Sequence, residues 1–269
     1  MRPLRSPGGW ESVYAAVEPD ETVGLDGEGE GEGWGVLIEI TYEKASYTAI
    51  LLGDITSPSP ATTTTNGAEG GFTHLPLLLT RLPPPLRTTL LEFLATRFDT
   101  RASAMRLPSS FLTKALGGYM DALVAGGGDI GGGVRDVVVS LAFPPERGLA
   151  GAGEGGGEGE GGRGLKGIDI TISRDDIPGF LERGRTATTA TANKTIDHPF
   201  WASLHTYSTT HLALDLSNPS VSVVKIACGA FVMGGEGRVK ISAPGEGRGE
   251  REGAEGVVGA LVGIAGRRG

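Results

Sequence analysis

Two histidines and two aspartates are the side chains of this sequence most suited to chemistry. His205, His211, Asp175 and Asp215 are the residues from which an acid-base site would have to be assembled. The two histidines are six residues apart, which places them on different faces of a helix, so they cannot share a metal ion without a bend. Asp175 fits the N-terminus of a helix, where a carboxylate is favourable. We predict no catalytic site and no metal, and keep a small soluble α+β enzyme as an alternative.

The cysteine and glycine patterns add no cofactor site. Gly151, Gly153 and Gly156 match a dinucleotide-binding pattern, but they lie in a stretch that is mostly glycine, where such a match is expected by chance. Cys228 is the only cysteine, which excludes an internal disulfide bond and fits a reducing compartment. Its apolar surroundings predict a small core residue rather than a nucleophile. We therefore predict no cofactor.

The net charge of −8 comes mainly from two Gly/Glu segments. Residues 24–33 and 148–164 contain seven acidic residues and many of the 46 glycines. Both segments lack side chains that can pack, which predicts disordered inserts. The rest of the chain is nearly neutral, which argues against a protein that coats nucleic acid by charge alone. The N-terminus has no apolar run of signal-peptide length, and residues 257–265 are too few to span a bilayer, so we expect a soluble intracellular protein with no membrane contact.

Hydrophobic periodicity predicts the elements that would position these residues. Alternating apolar residues indicate strands, and spacings of three and four indicate helices. The predicted order is strands, two helices, two strands, two helices and a strand pair, which indicates an α+β fold with a largely antiparallel sheet. We expect one domain over residues 1–242, followed by a Gly-rich tail at 243–269. The individual elements are strands at 10–17, 34–42, 46–53, 134–143, 165–173 and 212–216, with helices at about 84–100, from 108, at 175–183 and after Asp197.

The matching patterns of neighbouring strands predict two pairings. The strands at 34–42 and 46–53 predict a hairpin, and those at 134–143 and 165–173 predict a second one across the Gly/Glu insert, because loop length costs little entropy. Prolines at 83–85 can occupy the first turn of the helix at 84–100, and its stripe of Leu86, Leu90, Phe93 and Leu94 predicts that this helix faces the core. The Thr/Ala run at 186–192 is interpreted as a loop.

The strongest strand pattern is VSVVKIACGAFVMGGEGRVKIS at residues 221–242. Strict alternation would place Val224 and Ile226 on one face and Val223 and Lys225 on the other. The glycines at 234–237 predict a reversal, so the segment is interpreted as one hairpin that closes the ordered chain. Neither face is fully polar, which leaves open whether the hairpin is central in a sheet or an edge covered by another chain.

The amino-acid sequence of this region resembles that of a known family. The segment PFWASLHTYSTTHLALDLSNPSVSVVKIACGAFVMGGEGRVKI, residues 199–241, is similar to the C-terminal region of fungal members of the centromere protein L (CENP-L) family. Supporting stretches are LPSSFLTKALGGYMDAL at 107–123, IDITISRDDIPGFLERG at 168–184 and RPLRSP at the N-terminus. Members of this family are subunits of the constitutive inner-kinetochore network.

The resemblance implies a non-enzymatic structural subunit in the nucleus, at the centromere and kinetochore, that supports kinetochore assembly and chromosome segregation. It implies a curved antiparallel sheet, similar to the saddle of TATA-binding protein, with helices on one face. It also implies pairing with a centromere protein N-like (CENP-N-like) subunit, as a heterodimer or a homodimer, and contact with other inner-kinetochore proteins and, indirectly, with centromeric chromatin. From their position in the hairpin we predict these interface residues: Val223, Lys225, Ile226, Phe231, Arg238, Val239 and Lys240.

A third alternative is direct nucleic-acid binding by the saddle. Lys225, Arg238 and Lys240 are the basic residues of the hairpin, and each is suited to contact a phosphate group. This alternative requires that the three share one surface with other basic groups, and that the affinity for nucleic acid falls steeply with salt.

Overall fold

The computed structural model describes residues 35–42, 45–53, 74–127, 135–143, 166–190, 198–242 and 247–267. The chain divides into two compact units, residues 1–103 with 261–269, and residues 104–260. The Gly/Glu inserts at 24–33 and 148–164 and the strand predicted at 10–17 lie outside the described residues. The prediction of a single domain over residues 1–242 stays a prediction.

The described residues between 35 and 103, in the first unit, form a three-stranded antiparallel sheet and a helix. The strands β1 (Gly35–Tyr42), β2 (Ala45–Leu52) and β3 (Leu77–Arg81) are ordered β1-β2-β3. All eight residues of β1 pair with β2, which confirms the hairpin predicted from the alternating pattern. Helix α1 (Pro84–Phe98) begins with proline in its first turn and ends at Asp99, which has a left-handed φ of 49°.

Helix α1 is less buried than its apolar stripe predicts. Leu90 is buried, whereas Phe93 is 41% exposed and packs edge-on against the ring of Phe98, with the ring centroids 6.0 Å apart. The two rings therefore shield part of each other's apolar surface from solvent at the surface of the helix. The prediction that Phe93 belongs to the core is wrong.

The second unit is built on a five-stranded antiparallel sheet. Its strands are β4 (Val137–Ala142), β5 (Gly167–Ile172), β6 (Ser222–Ala227), β7 (Phe231–Gly234) and β8 (Val239–Ile241), in the order β5-β4-β6-β7-β8. The predicted pairing of β4 with β5 is confirmed, with Val139 opposite Ile170. Val137, Val139 and Leu141 alternate to one face and are buried there, as their period of two predicts.

Helix α2 (Ser109–Ala125) packs on that face of the five-stranded sheet. The unit also contains α3 (Ile177–Ala190), α4 (Pro199–Leu212) and residues 248–260 of α5 (Arg248–Gly266). The Tyr119 ring of α2 contacts Phe231 of β7, and the Trp201 indole of α4 donates a hydrogen bond to the Thr113 carbonyl oxygen of α2 at 2.9 Å. The α+β class with antiparallel sheets is confirmed, while the saddle curvature stays a prediction.

The segment at 221–242 forms three strands rather than the predicted hairpin. The Cys228 N–H donates a hydrogen bond to the Phe231 carbonyl oxygen at 2.8 Å, and this bond closes a tight turn at Gly229 and Ala230. The sequence shows no polar or proline residue at this turn, so the apolar pattern runs through it without a break. The three strands β6, β7 and β8 therefore form a meander.

The predicted faces of β6 are also wrong, because the strand contains a β-bulge. Against β4, Ser140 lies opposite Lys225 but the next residue, Leu141, lies opposite Val223, so Val224 is the extra residue. The bulge shifts the alternation by one position. Val223 and Ile226 consequently share the buried face, and Val224 is exposed.

The Gly-rich tail contains helix α5, so the ordered chain does not end at residue 242. The helix has six glycines among 19 residues, and glycine lowers helix propensity by about 1 kcal/mol relative to alanine. Ala254 and Val257 are buried nevertheless. Packing of this apolar stripe, rather than intrinsic propensity, accounts for the helix.

Two shorter predictions also differ from the structure. Residues 212–216 were predicted as a strand, but α4 continues to Leu212 and ends at Ala213, which has a left-handed φ of 51°. The Leu214 N–H then bonds to the Ser208 carbonyl oxygen at 3.0 Å, which completes the helix end. Helix α3 runs to Ala190 rather than Arg183, because the Thr/Ala run interpreted as a loop is compatible with helix.

Candidate protein-interaction surfaces

One face of the five-stranded sheet lies opposite the helices, and we call it the uncovered sheet face. The strand register aligns Val138, Ala227 and Val232 in a row across the sheet. This row runs from Thr171 at one edge to Lys240 at the other. Its members are exposed or half-buried, in contrast to the buried residues that precede and follow them in the strands.

A second row lies beside the first. Asp169 lies opposite Ser140, which lies opposite Lys225, and Lys225 lies opposite Gly234. The Gly234 N–H donates to the Arg238 carbonyl oxygen at 2.9 Å, which places Arg238 at the end of this row. The exposed carboxylate of Glu236 lies over Gly234 in the same row. The uncovered sheet face is therefore small and apolar in its centre and acidic at the β5 side, whereas its β8 side carries Lys225, Arg238 and Lys240 together with Glu236. It consists of Val138, Ser140, Asp169, Thr171, Lys225, Ala227, Val232, Arg238 and Lys240.

The structure separates the seven predicted interface residues into two groups. Lys225, Arg238 and Lys240 are exposed and share the uncovered sheet face. Val239 is half-buried on the helix-covered side. The remaining three, Val223, Ile226 and Phe231, are buried against the helices, so their side chains offer no surface to a partner in this fold. The contact prediction for the exposed residues stays a prediction.

The edge strands of the two sheets differ in how they are protected. Strand β8 has only three residues and carries Lys240, and a short charged edge resists unintended strand pairing. Strand β1 has eight residues, no proline and a single charge, Glu39. Val36, Leu37 and Tyr42 of β1 are among the exposed large apolar side chains. Sequence reasoning identified β1 as a strand but missed its exposed outer edge, although apolar residues at both even and odd positions were a visible signal.

The four residues considered for an enzyme site do not come together in a pocket. The His205 imidazole Nε2 lies 3.0 Å from Asp215 Oδ1, and this pair is on the surface. His211 packs against the Tyr207 ring, with centroids 4.8 Å apart, and Asp175 lies 3.4 Å from Arg174. This histidine-carboxylate pair joins the middle of α4 to Asp215, which lies just beyond the end of that helix.

A shallow cleft lies at the end of β4. Among the described residues it is lined by Arg135, Asp136, Arg174, Ala227 and Cys228, and it contains none of the four residues considered above. The carboxylate of Asp136 accepts a hydrogen bond from the Arg174 backbone N–H at 3.1 Å. Burial raises the pKa of the Cys228 thiol, and this effect outweighs the backbone N–H groups of Phe231 and Ala230, which act to lower it. The thiol is therefore protonated at neutral pH and is a weak nucleophile.

The described residues do not provide a metal site. No group of three or more His, Cys, Asp or Glu side chains in this part of the chain is placed to bind a metal ion. Among the described helices, none is both long and apolar enough to cross a membrane.

The fold defines a class of protein, an α+β protein with two antiparallel sheets. Comparison with family models gives a match over residues 5–265 to the family described as CENP-L: Centromere protein L. The chain therefore belongs to the centromere protein L family, and it is a centromere protein of the kinetochore in the nucleus. No curated protein matches the chain significantly.

Proposed function

We propose that this protein is a non-enzymatic structural subunit of the inner kinetochore that pairs with a CENP-N-like subunit. Membership of the centromere protein L family supports this role. Through this pairing the protein would contact other inner-kinetochore proteins, link indirectly to centromeric chromatin and support chromosome segregation.

The uncovered sheet face is the observation that carries the proposal. Lys225, Arg238 and Lys240 are exposed there, and none of them forms an ion pair with another described residue. The centre of the face has side chains no larger than valine, so a partner can approach the backbone closely. Unpaired cations beside a small apolar centre favour a partner surface that is acidic at its rim.

Charge reversal on this face tests the proposal. The full chain and the CENP-N-like protein of the same organism are co-expressed and their affinity is measured by calorimetry. The triple variant Lys225→Glu, Arg238→Glu, Lys240→Glu should bind at least about tenfold more weakly, because each reversal turns an attraction into a repulsion. A triple variant with the same change in net charge, Arg87→Glu, Arg97→Glu, Lys114→Glu, alters exposed cations elsewhere and should bind normally. Equal affinities for the two triple variants would exclude this face, and no complex for the unaltered chain would exclude the pairing.

The same three cations favour nucleic-acid binding as a second candidate function. They share one face, which is the first part of the condition that this alternative required. Asp169 at the opposite edge of the face limits the basic area to the β8 side. The measurement is the affinity of the purified chain for a short duplex DNA over a range of salt concentrations. A steep fall of affinity with salt that is absent in the first triple variant would favour this candidate.

A further inference from the structure

We propose that the outer edge of β1 binds an extended segment of another protein as an additional antiparallel strand, with a Lys or Arg of that segment opposite Glu39. This inference concerns the three-stranded sheet and does not depend on the uncovered sheet face or on the CENP-N-like partner.

The backbone of β1 has hydrogen-bonding groups at its outer edge that another strand could pair with. Among the described residues, the eight residues of Gly35–Tyr42 pair with β2 on one side only, and β1 is the first strand in the order β1-β2-β3. About half of its N–H and C=O groups therefore point away from β2, toward the free edge. Natural proteins block such an edge with proline, lysine, a bulge or a short strand. Strand β1 has none of these features.

Apolar side chains of β1 are exposed on both faces of the strand. Val36 and Tyr42 lie on one face of the strand and are 44% and 52% exposed, while Leu37 lies on the other face and is 47% exposed. An edge that is apolar on both faces is typical of a strand that becomes central when another strand is added. The three-stranded sheet has little buried core of its own, since Ala49 and Leu77 are the only buried residues of its three strands.

Charge identifies the occupant. Glu39 lies opposite Thr48, and Thr48 lies opposite Arg81, so the row has a cation at β3 and an anion at the free edge. An added strand with a cation opposite Glu39 would form a stabilising cross-strand pair, and an anion there would be repelled.

Among the described strands, the cations are Arg81 of β3, Lys225 of β6 and Lys240 of β8. Strand β6 is central in its sheet and β8 has only three residues, while pairing of β1 with β3 of a second copy would extend head to tail without closing. In a second copy of β1 the only charged residue is again Glu39. In residues 10–17, WESVYAAV, the segment predicted as a strand from the sequence, the only charged residue is Glu11. A segment of a different protein, with alternating apolar residues and a Lys or Arg, is therefore the occupant that fits the charge of this edge.

Peptide binding to the full-length chain tests the proposal. The probe is a short blocked peptide in which threonine and valine alternate around a central lysine, and its twin has a central glutamate. Fluorescence anisotropy should show the lysine peptide binding about fivefold to tenfold more tightly than the twin, as expected for exchanging an opposite-charge for a like-charge pair. The variant Glu39→Lys should reverse this order. The matched control Glu92→Lys changes an exposed glutamate of α1 and should leave the order unchanged.

Backbone methylation of the probe separates strand pairing from general hydrophobic binding without altering the protein. N-methyl groups on one alternate set of peptide residues should abolish binding, and N-methyl groups on the other set should have little effect. Equal effects of the two sets, or a peptide preference that Glu39→Lys does not change, would overturn the proposal.

Two further measurements distinguish the other occupants. Light scattering should show no self-association that depends on Glu39, because a dimer lost in Glu39→Lys would make a second copy the occupant and overturn the proposal. The variant Val13→Pro should leave peptide affinity unchanged. An increase of about tenfold would mean that residues 10–17 of the chain already occupy the edge, which would also overturn it.

Discussion

The ring of Tyr119 packs edge-to-face against the ring of Phe231, with the ring centroids 5.5 Å apart and the ring planes at 79°. Both side chains are 1% exposed. The contact joins α2 to β7 and lies at the centre of the five-stranded unit. Phe231, which its sequence position suggested as an interface residue, therefore stabilises the fold instead.

Truncation of this aromatic pair should destabilise the protein strongly. We expect Phe231→Ala to lower the free energy of unfolding by about 3–5 kcal/mol, through lost burial and an unfilled cavity beside Tyr119. The measurement is urea denaturation followed by circular dichroism. Val224→Ala, at the exposed bulge residue, is the matched control and should cost less than about 1 kcal/mol. Similar costs for the two variants would contradict a core role for Phe231.

Replacement of two glycines of α5 by alanine should change the free energy of unfolding in opposite directions. A Cβ at Gly253 would lie 2.6 Å from Tyr119 Cδ2, whereas a Cβ at Gly256 would meet nothing within 4 Å. Gly256→Ala should raise the free energy of unfolding by up to about 1 kcal/mol through helix propensity. Gly253→Ala should lower it by about 1–3 kcal/mol because the side chain overpacks against the ring. Thermal melts compare the two, and a stabilising Gly253→Ala would show that α5 does not pack closely on α2.

Asp215 should titrate at unusually low pH. Hydrogen bonds from the Ser217 hydroxyl and backbone N–H, followed by the bond with His205, lower the pKa of Asp215 from its ordinary value of 3.8 to about 2. The folded state thus binds this proton more weakly than the unfolded chain. The contribution of Asp215 to stability is present above the ordinary pKa and is lost as the pH falls toward 2.

Nuclear magnetic resonance of the Asp215 carboxyl carbon measures this pKa directly. Ser217→Ala should raise it more than His205→Asn does, because the serine contributes the largest effect. A larger rise in His205→Asn would show that the imidazole rather than the serine determines the pKa.

Cys228 should react slowly while the protein is folded. Because burial raises the pKa of its thiol, little thiolate is present at neutral pH, and access to the sulfur is also restricted. Labelling with iodoacetamide, followed by mass spectrometry, should be slower than for free cysteine and should accelerate in urea. A folded protein labelled as fast as free cysteine would contradict this environment.

Much of the secondary structure follows from local patterns. The hairpin of β1 and β2 was predicted because alternation of apolar residues over two segments is a strong signal of strand pairing. The pairing of β4 with β5 was predicted for the same reason, even across a long Gly/Glu insert, because loop length has a small entropic cost. Proline at the start of α1 likewise indicated its first turn.

Other features depend on contacts that local patterns do not contain. The turn at Gly229 and Ala230 and the bulge at Val224 change which residues face the core, and both depend on the pairing partners of β6. Helix α5 has the composition of a disordered tail, and its burial depends on α2. These contacts determine whether each predicted interface residue is buried or exposed.

The amino-acid sequence by itself determined the α+β class and the order of most elements, because these depend on side-chain periodicity along the chain. It also determined the resemblance to the centromere protein L family, which depends on the identity of successive residues. The tertiary structure alone decided that Lys225, Arg238 and Lys240 share one face of the sheet and that Phe231 is core. It also decided that the outer edge of β1 has no partner among the described strands. Strand register and helix packing determine exposure, and both arise between residues that are distant in the sequence.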